Sequence, residues 1–291
     1  MKKESSLYMN PLTDFGFKKL FGDEANKEFL LDFLNSLLKD EQGLITDLNF
    51  QNTERLGLNP EDRNAIYDLY CTNEKGEHFI VELQRAKQTF FVDRTVYYSS
   101  FLIQKQGKRK QNWNYELQAV YTIALLDFEM DKTNENKNKY FYNIKLHDSE
   151  THEIFYPKLT FIYVELPKFQ KKAKELHTPF EKWVYLFRNL ESLEHIPENL
   201  KEHIFMKLIE TAKLENLPKT DRKNYQESLK RYRDNYNVIE TAKLEAKMEG
   251  KMEGKMEEKI ELAQNAYKKG LTISLIAELT GLTEEEILAI L

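Results

Sequence analysis

The sequence has a single cysteine, Cys71, among its 291 residues. No disulfide can close within the chain, which predicts a reducing compartment. Cys71 falls in an apolar strand pattern and reads as a small core residue, since no histidine is placed to act on it as a base. Behind the two lysines of the opening stretch, Met1 to Asn10, there is no apolar run, so no secretory signal is expected. Long apolar runs are lacking throughout. The longest, Ala119 to Leu126, is interrupted by Tyr121 and Thr122, far short of the roughly 20 residues that cross a bilayer. These absences predict a cytoplasmic protein with no membrane partner. An excess of positive charge is also lacking: the net charge is −5, whereas a dedicated nucleic-acid coat is basic. That leaves a nuclease open, because local patches govern contact with phosphate. Two such patches exist, Lys105 to Lys110 and Lys168 to Lys174, and both read as solvated surface.

What is present is an ordinary globular balance, 41% hydrophobic and 31% charged, with 18 Phe and 16 Tyr. This excludes wholesale disorder. Thr13 caps an expected helix over 14–21 that Gly22 ends, and a second helix over 25–38 carries Phe29, Leu30, Phe33, Leu34, Leu37 and Leu38 on one stripe. From Thr46 the period changes. Strands are expected over 47–54, 65–72, 77–84, 117–128, 140–146 and 159–166, with a helix over 90–106 and further helices over 179–190 and 198–214. Asn73-Glu74-Lys75-Gly76 is a strong hairpin turn between 65–72 and 77–84. Helices, three strands, a helix, more strands and again helices predict a mixed α/β sheet covered by helices.

The end of the chain differs. Residues 247–259 repeat Lys-Met-Glu-Gly with a period of four. Like charges recur at i+4, Gly250 and Gly254 each cost roughly 1 kcal/mol in a helix, and Met248, Met252 and Met256 drift around the axis. A solvated helix or tether is expected, with a coiled-coil oligomerisation segment as the sharper alternative. Two short helices follow, capped by Thr272 and Thr283 around a Thr280-Gly281 turn. The spacing is that of a helix-turn-helix, but Glu284, Glu285 and Glu286 open the second helix and would repel phosphate. A small packing or oligomer module is the better reading.

Chemistry concentrates on the hairpin. A turn centred near 74–75 pairs positions whose numbers sum to about 149 or 150, which sets Asp68 opposite or beside Glu82. Opposed side chains on one face lie roughly 5 Å apart at Cβ. Glu82 and Gln84 project from the same face. Both faces of the hairpin are largely apolar, so the carboxylates are not on a plainly wet surface and need partners. Two carboxylates this close repel unless a cation lies between them, and oxygen ligands favour a hard ion such as Mg²⁺. The alternative is that each carboxylate simply faces water. Arg94 stands open between a phosphate contact and a surface ion pair. Asp127 reads as a cap at a strand end.

The string Tyr67-Asp68, a hairpin, then Glu82-Leu83-Gln84 resembles the PD-(D/E)XK nuclease motif in its E-x-Q variant. More specifically, the chain resembles the bacterial PD-(D/E)XK nuclease family transposases, or recombination-promoting nucleases. Thr13 to Phe21, Phe91 to Tyr98, Tyr115 to Phe128, the glutamate-glycine-lysine repeat and Ile276-Ala277-Glu278-Leu279-Thr280-Gly281-Leu282-Thr283 carry the likeness across nearly the whole chain. The resemblance implies a restriction-endonuclease-like core over 1–170, a helical extension over 171–240 and a charged tether with a small helical module over 241–291. It implies a Mg²⁺-dependent DNA endonuclease (Mn²⁺ the alternative ion) acting in recombination or DNA mobility. Asp68 and Glu82 would ligate the metal, with the Leu83 carbonyl as a further ligand and Asp14 as an outer carboxylate. Gln84 takes the place of the motif's lysine: its amide can orient a water or a phosphate oxygen but carries no charge. Positive charge toward DNA would then come from a second metal or from Lys18, Arg85, Lys87 or Arg94. A catalytically silent DNA-binding or assembly module keeping the same fold is the alternative, and homo-oligomerisation through the C-terminal region is a further expectation.

Overall fold

A computed structural model describes residues 6–55, 65–107, 114–130 and 138–291. It divides into two compact units, 1–230 and 231–291. The strands of the first unit are β1 (Leu48–Phe50), β2 (Glu54–Arg55), β3 (Ala65–Ile66), β4 (Leu69–Asn73), β5 (His78–Gln84), β6 (Val120–Leu126), β7 (Phe141–His147) and β8 (Ile154–Glu165). Six of them form one mixed sheet in the order β1-β4-β5-β6-β8-β7, while β2 and β3 pair separately. β1, β4 and β5 run antiparallel to their neighbours, β5, β6 and β8 run parallel, and β7 returns antiparallel on β8.

The β4–β5 turn forms for local reasons. The Asn73 side chain accepts hydrogen bonds from the backbone of Lys75 and Glu77, and the Gly76 N–H donates to the Asn73 carbonyl. Gly76 has φ +77°, a conformation that glycine adopts without steric cost. β6 is buried at every position, as expected of a parallel strand covered on both faces. The expected strand over 159–166 starts earlier, at Ile154, and its pairing with β7 jumps from Lys145↔Thr160 to Leu146↔Tyr156. Pro157 lies in the skipped stretch; it has no N–H to give a ladder, so the irregularity falls there. The expected strand over 47–54 is broken into β1 and the short β2.

The helices are α1 (Asp14–Phe21), α2 (Lys27–Gln42), α3 (Phe91–Gln106), α4 (Pro179–Asn189), α5 (His203–Thr211) and α6 (Lys219–Lys268), the last crossing the boundary between the units, then α7 (Ile273–Thr280) and α8 (Glu284–Ile290). The expected helix over 198–214 contracts to α5, between two 3₁₀ turns. α3 is the crossover that makes β5 and β6 parallel. Its Leu102 packs with Tyr70, Ile80 and Val120, and its Phe91 with Ala124, Leu126 and Tyr163. Leu69, which points the other way from Tyr70, meets the end of α1: a Cβ on Gly22 would lie 2.6 Å from its side chain. α2 packs against α1, α4 and α5, and Phe21, Phe33, Trp183, Phe187 and Phe205 share one aromatic cluster.

One surface expectation is corrected. Lys168, assigned to a solvated patch, has a side chain only 5% exposed that pairs with the fully buried Glu165 at 2.5 Å. Burial of Glu165 at the end of β8 demands a cation, and Lys168 lies one turn away to supply it. Lys171 of the same patch pairs with Glu181. Of the other patch, Lys108 to Lys110 lie outside the described residues, and Lys105 sits over the Tyr70 ring.

In the second unit Ala263, Ala266, Ile276, Leu282 and Ile287 form a small core. Gly281, at φ +67°, ends α7, and Thr283 caps α8 in a reciprocal box with Glu286. Thr272 precedes α7 but makes no side-chain cap. The four-residue repeat is helical throughout, with its methionines exposed. No helix among the described residues is long and apolar enough to cross a membrane.

Candidate active site

The β4–β5 register pairs Leu69 with Val81 and Tyr70 with Ile80, so Asp68, one residue before β4, falls opposite Glu82. The Asp68 N–H donates to Glu82 Oε1 at 3.3 Å, and the Leu83 N–H donates to Asp68 Oδ2 at 2.7 Å. Each carboxylate is thus tied to the other's strand. Glu82 is 7% exposed. Burial, reinforced by the negative charge of Asp68, pushes its carboxyl up to about 8, against the opposing pull of Arg94 and Lys18. Burial also raises Asp68, offset in part by the Leu83 hydrogen bond and by the positive charges of Lys18 and Arg85.

α1 brings further charge to this hairpin. The Thr13 hydroxyl accepts from the Gly16 N–H at 3.0 Å and donates to the Asn10 carbonyl at 2.8 Å. That carbonyl lies so close that a Cβ on Gly16 would sit 2.2 Å from it. The backbone therefore requires glycine in Asp-Phe-Gly-Phe. Asn10 is held in turn: its N–H donates to the Tyr225 hydroxyl and its side-chain amide to Glu191. On the helix Lys18 pairs with Asp14 at 2.9 Å, one turn apart. Both charges reach Asp68, Lys18 favouring its ionised form and Asp14 opposing it.

Past the end of β5, Arg85 donates from Nε to the Leu12 carbonyl at 3.0 Å, lashing the strand to the lead-in of α1. Lys87 is exposed. The Gln84 amide is fixed at both ends. Its Oε1 accepts from Arg94 Nη2 at 2.5 Å, and its Nε2 donates to the Ala86 carbonyl at 2.8 Å. Because a guanidinium only donates and a carbonyl only accepts, this assignment of oxygen and nitrogen is unambiguous. Arg94 stands in the first turn of α3, with its other amine on Gln88 Oε1 at 2.8 Å. The Asp127 N–H donates to the Gln84 carbonyl.

The structure thus brings Asp68, Glu82, Gln84 and Arg94 together, with the charges of Asp14, Lys18 and Arg85 acting on the carboxylates. The Gln84–Arg94 and Arg85–Leu12 contacts were not foreseen. For the first, parity put Gln84 with Ile80 on the face that the following helix covers, but not which residue of that helix would meet it. Cys71 is fully buried and burial pushes its thiol up, so it is core and not a nucleophile.

Among the described residues no group of three or more His, Cys, Asp or Glu is poised for a metal. The nearest oxygen donors are instead the two carboxylates of Asp68 and Glu82, both hard. Burial beside the like charge of Asp68 pushes Glu82 toward its protonated form, a bias that a divalent cation would relieve. The residues present therefore fit a hard divalent ion better than a soft or thiolate-bound one.

The model of the family described as PD-(D/E)XK nuclease family transposase matches residues 11–242. No curated protein and no solved structure matches the chain.

Proposed function

The chain belongs to the PD-(D/E)XK nuclease family transposases, and from that premise we propose that it is a metal-dependent DNA endonuclease serving recombination or DNA mobility. The observation that carries the reading is the buried Glu82 on β5 facing Asp68 across the hairpin, with Glu82 accepting the Asp68 N–H and Asp68 accepting the Leu83 N–H. Asp68, Glu82 and the Leu83 carbonyl would hold the ion, Mg²⁺ in preference and Mn²⁺ as substitute, with Asp14 as an outer carboxylate. When bound, such an ion supplies Lewis-acid stabilisation of phosphate charge and a more acidic water. The protein's own groups do the rest. Gln84, clamped by Arg94 and Ala86, keeps one amide hydrogen and one oxygen lone pair to orient a polar neighbour. Lys18 and Lys87 offer positive charge to a DNA backbone; Arg85 spends its Nε on Leu12 and serves chiefly to fix the strand end.

The expected result is nicking or cutting of plasmid DNA in Mg²⁺ that Asp68→Ala and Glu82→Ala each abolish. Equal cutting by the Glu82→Ala protein would sink the proposal. The neutral Gln84 favours one rival, a silent DNA-binding or assembly module of the same fold. Calorimetric heat with Mn²⁺ that disappears in Asp68→Ala speaks against it.

A further inference from the structure

Arg94 is built in with unusual care for a cation. Its guanidinium lies 5.7 Å from the centre of the Phe91 ring and 5.6 Å from that of Tyr98, where ring faces attract positive charge. Two of its nitrogens are occupied, by Gln84 and Gln88. The third, Nε, is buried and without a hydrogen-bond partner among the described residues. Leaving a buried N–H of a charged group unpaired is costly, so the arrangement needs a compensating reason. Two features of the site supply one. Its strand residues contribute two carboxylates and a neutral amide, hence no positive charge of their own. The positive field of Arg94 also falls on Glu82.

Resting on the nuclease reading, we propose that Arg94 is the positioning residue of the site: from α3 it orients the Gln84 amide and provides the fixed positive charge that position 84 lacks. The two roles are linked through the single Arg94–Gln84 hydrogen bond. The ring faces of Phe91 and Tyr98 and the burial of Nε keep water from part of the guanidinium, so its charge acts on its neighbours with less screening.

A charge exchange across that bond tests the idea. The Arg94→Gln variant removes the charge while leaving an amide of similar reach, and the Gln84→Lys/Arg94→Gln double variant returns it on the strand. Two readouts are needed. In plasmid cleavage with Mg²⁺, Arg94→Gln is expected to lose roughly a hundredfold, as for loss of one preorganised charge-stabilising donor, and the double variant to recover most of that loss. In Mn²⁺ calorimetry without DNA, Arg94→Gln is expected to bind the ion roughly fivefold tighter, since a repelling charge has gone. The double variant returns to wild-type affinity. A residue that only props up the fold would move both readouts toward loss, with no recovery in the double variant. Weaker or unchanged Mn²⁺ binding in Arg94→Gln, or cleavage within twofold of wild type, would overturn the assignment. Absence of Mn²⁺ heat in the wild-type protein would instead strike the metal-site reading itself, and the assignment would fall with it.

Discussion

At the scale of single residues, Glu82 governs how the site answers to pH. Its carboxyl titrates near 8 because burial and Asp68 both favour the protonated form. A bound cation requires the ionised form, so loading the site near pH 7 must release a proton. Mn²⁺ titration at pH 7 in buffers of different ionisation heat is expected to show close to one proton released per ion, with affinity rising up to about pH 8 and levelling above it. Heats independent of the buffer would refute this. The pairing of Asp68 with Glu82 was legible in advance, since a four-residue turn fixes the register by arithmetic: the observed partners Leu69↔Val81 and Tyr70↔Ile80 place 68 against 82. The clamp on Gln84 was not legible as a contact. It depends on where α3 docks, and helix docking is set by the apolar faces of Leu102 and Phe91 meeting the sheet, not by anything near position 84.

At the scale of elements, α1 is held by a knot of buried hydrogen bonds that joins its first turn to the residues just before it. Asn10, Leu12, Thr13 and Gly16 form that knot, and the approach of the Asn10 carbonyl leaves no room for a side chain at 16. Gly16→Ala is therefore expected to destabilise the fold by about 2–4 kcal/mol, toward the severe end for single substitutions; thermal unfolding followed by circular dichroism measures it, and an unchanged midpoint would contradict the steric argument. Tyr225→Phe tests the same knot from α6. It strands the buried Asn10 N–H and is expected to cost about 1–3 kcal/mol, again read from the unfolding midpoint. The cap and the stop of α1 were readable as Thr13 and Gly22. The role of Gly16 was not, because it answers to a carbonyl six residues back and to a hydroxyl on α6 that no local pattern reveals. The same limit explains Lys168: a lysine-rich string reads as wet until the partner, Glu165, is found buried at the end of a strand.

At the scale of the whole molecule, the family match ends at residue 242 and the first compact unit at 230. Hydrogen bonds from Asn10 and Phe15 reach α6 at Tyr225 and Ser228, so the N-terminal part of α6 belongs to the core's own framework. A chain ending at residue 240 is thus expected to keep its Mn²⁺ binding and its unfolding midpoint. If the C-terminal region drives oligomerisation, light scattering will show a lower molar mass per particle beyond the loss of the removed residues; an unchanged subunit number would reject that role. The mixed sheet with covering helices was legible from the change of period at Thr46 and from the largely apolar β6. Less legible was that α4 and α5 share one aromatic cluster with α1 and α2 through Trp183 and Phe205, since stripes on separate helices do not announce which of them will meet.

The hairpin that holds Asp68 and Glu82 also sets an order of events during folding. Its strands are joined by a short local turn, and such hairpins close on a timescale of about 1–10 μs. The parallel pairing of β5 with β6 must await the crossover through α3, a slower, non-local step. The two carboxylates therefore meet while still hydrated, and Glu82 gives up its water only as α3 arrives. Docking then selects for the protonated carboxyl. Stopped-flow refolding without metal is expected to slow as pH rises from the ordinary carboxyl range toward about 8, levelling above it, in the wild-type protein and to lose that dependence in Glu82→Gln. An equal slope in both would place the burial of this carboxyl after the rate-limiting step.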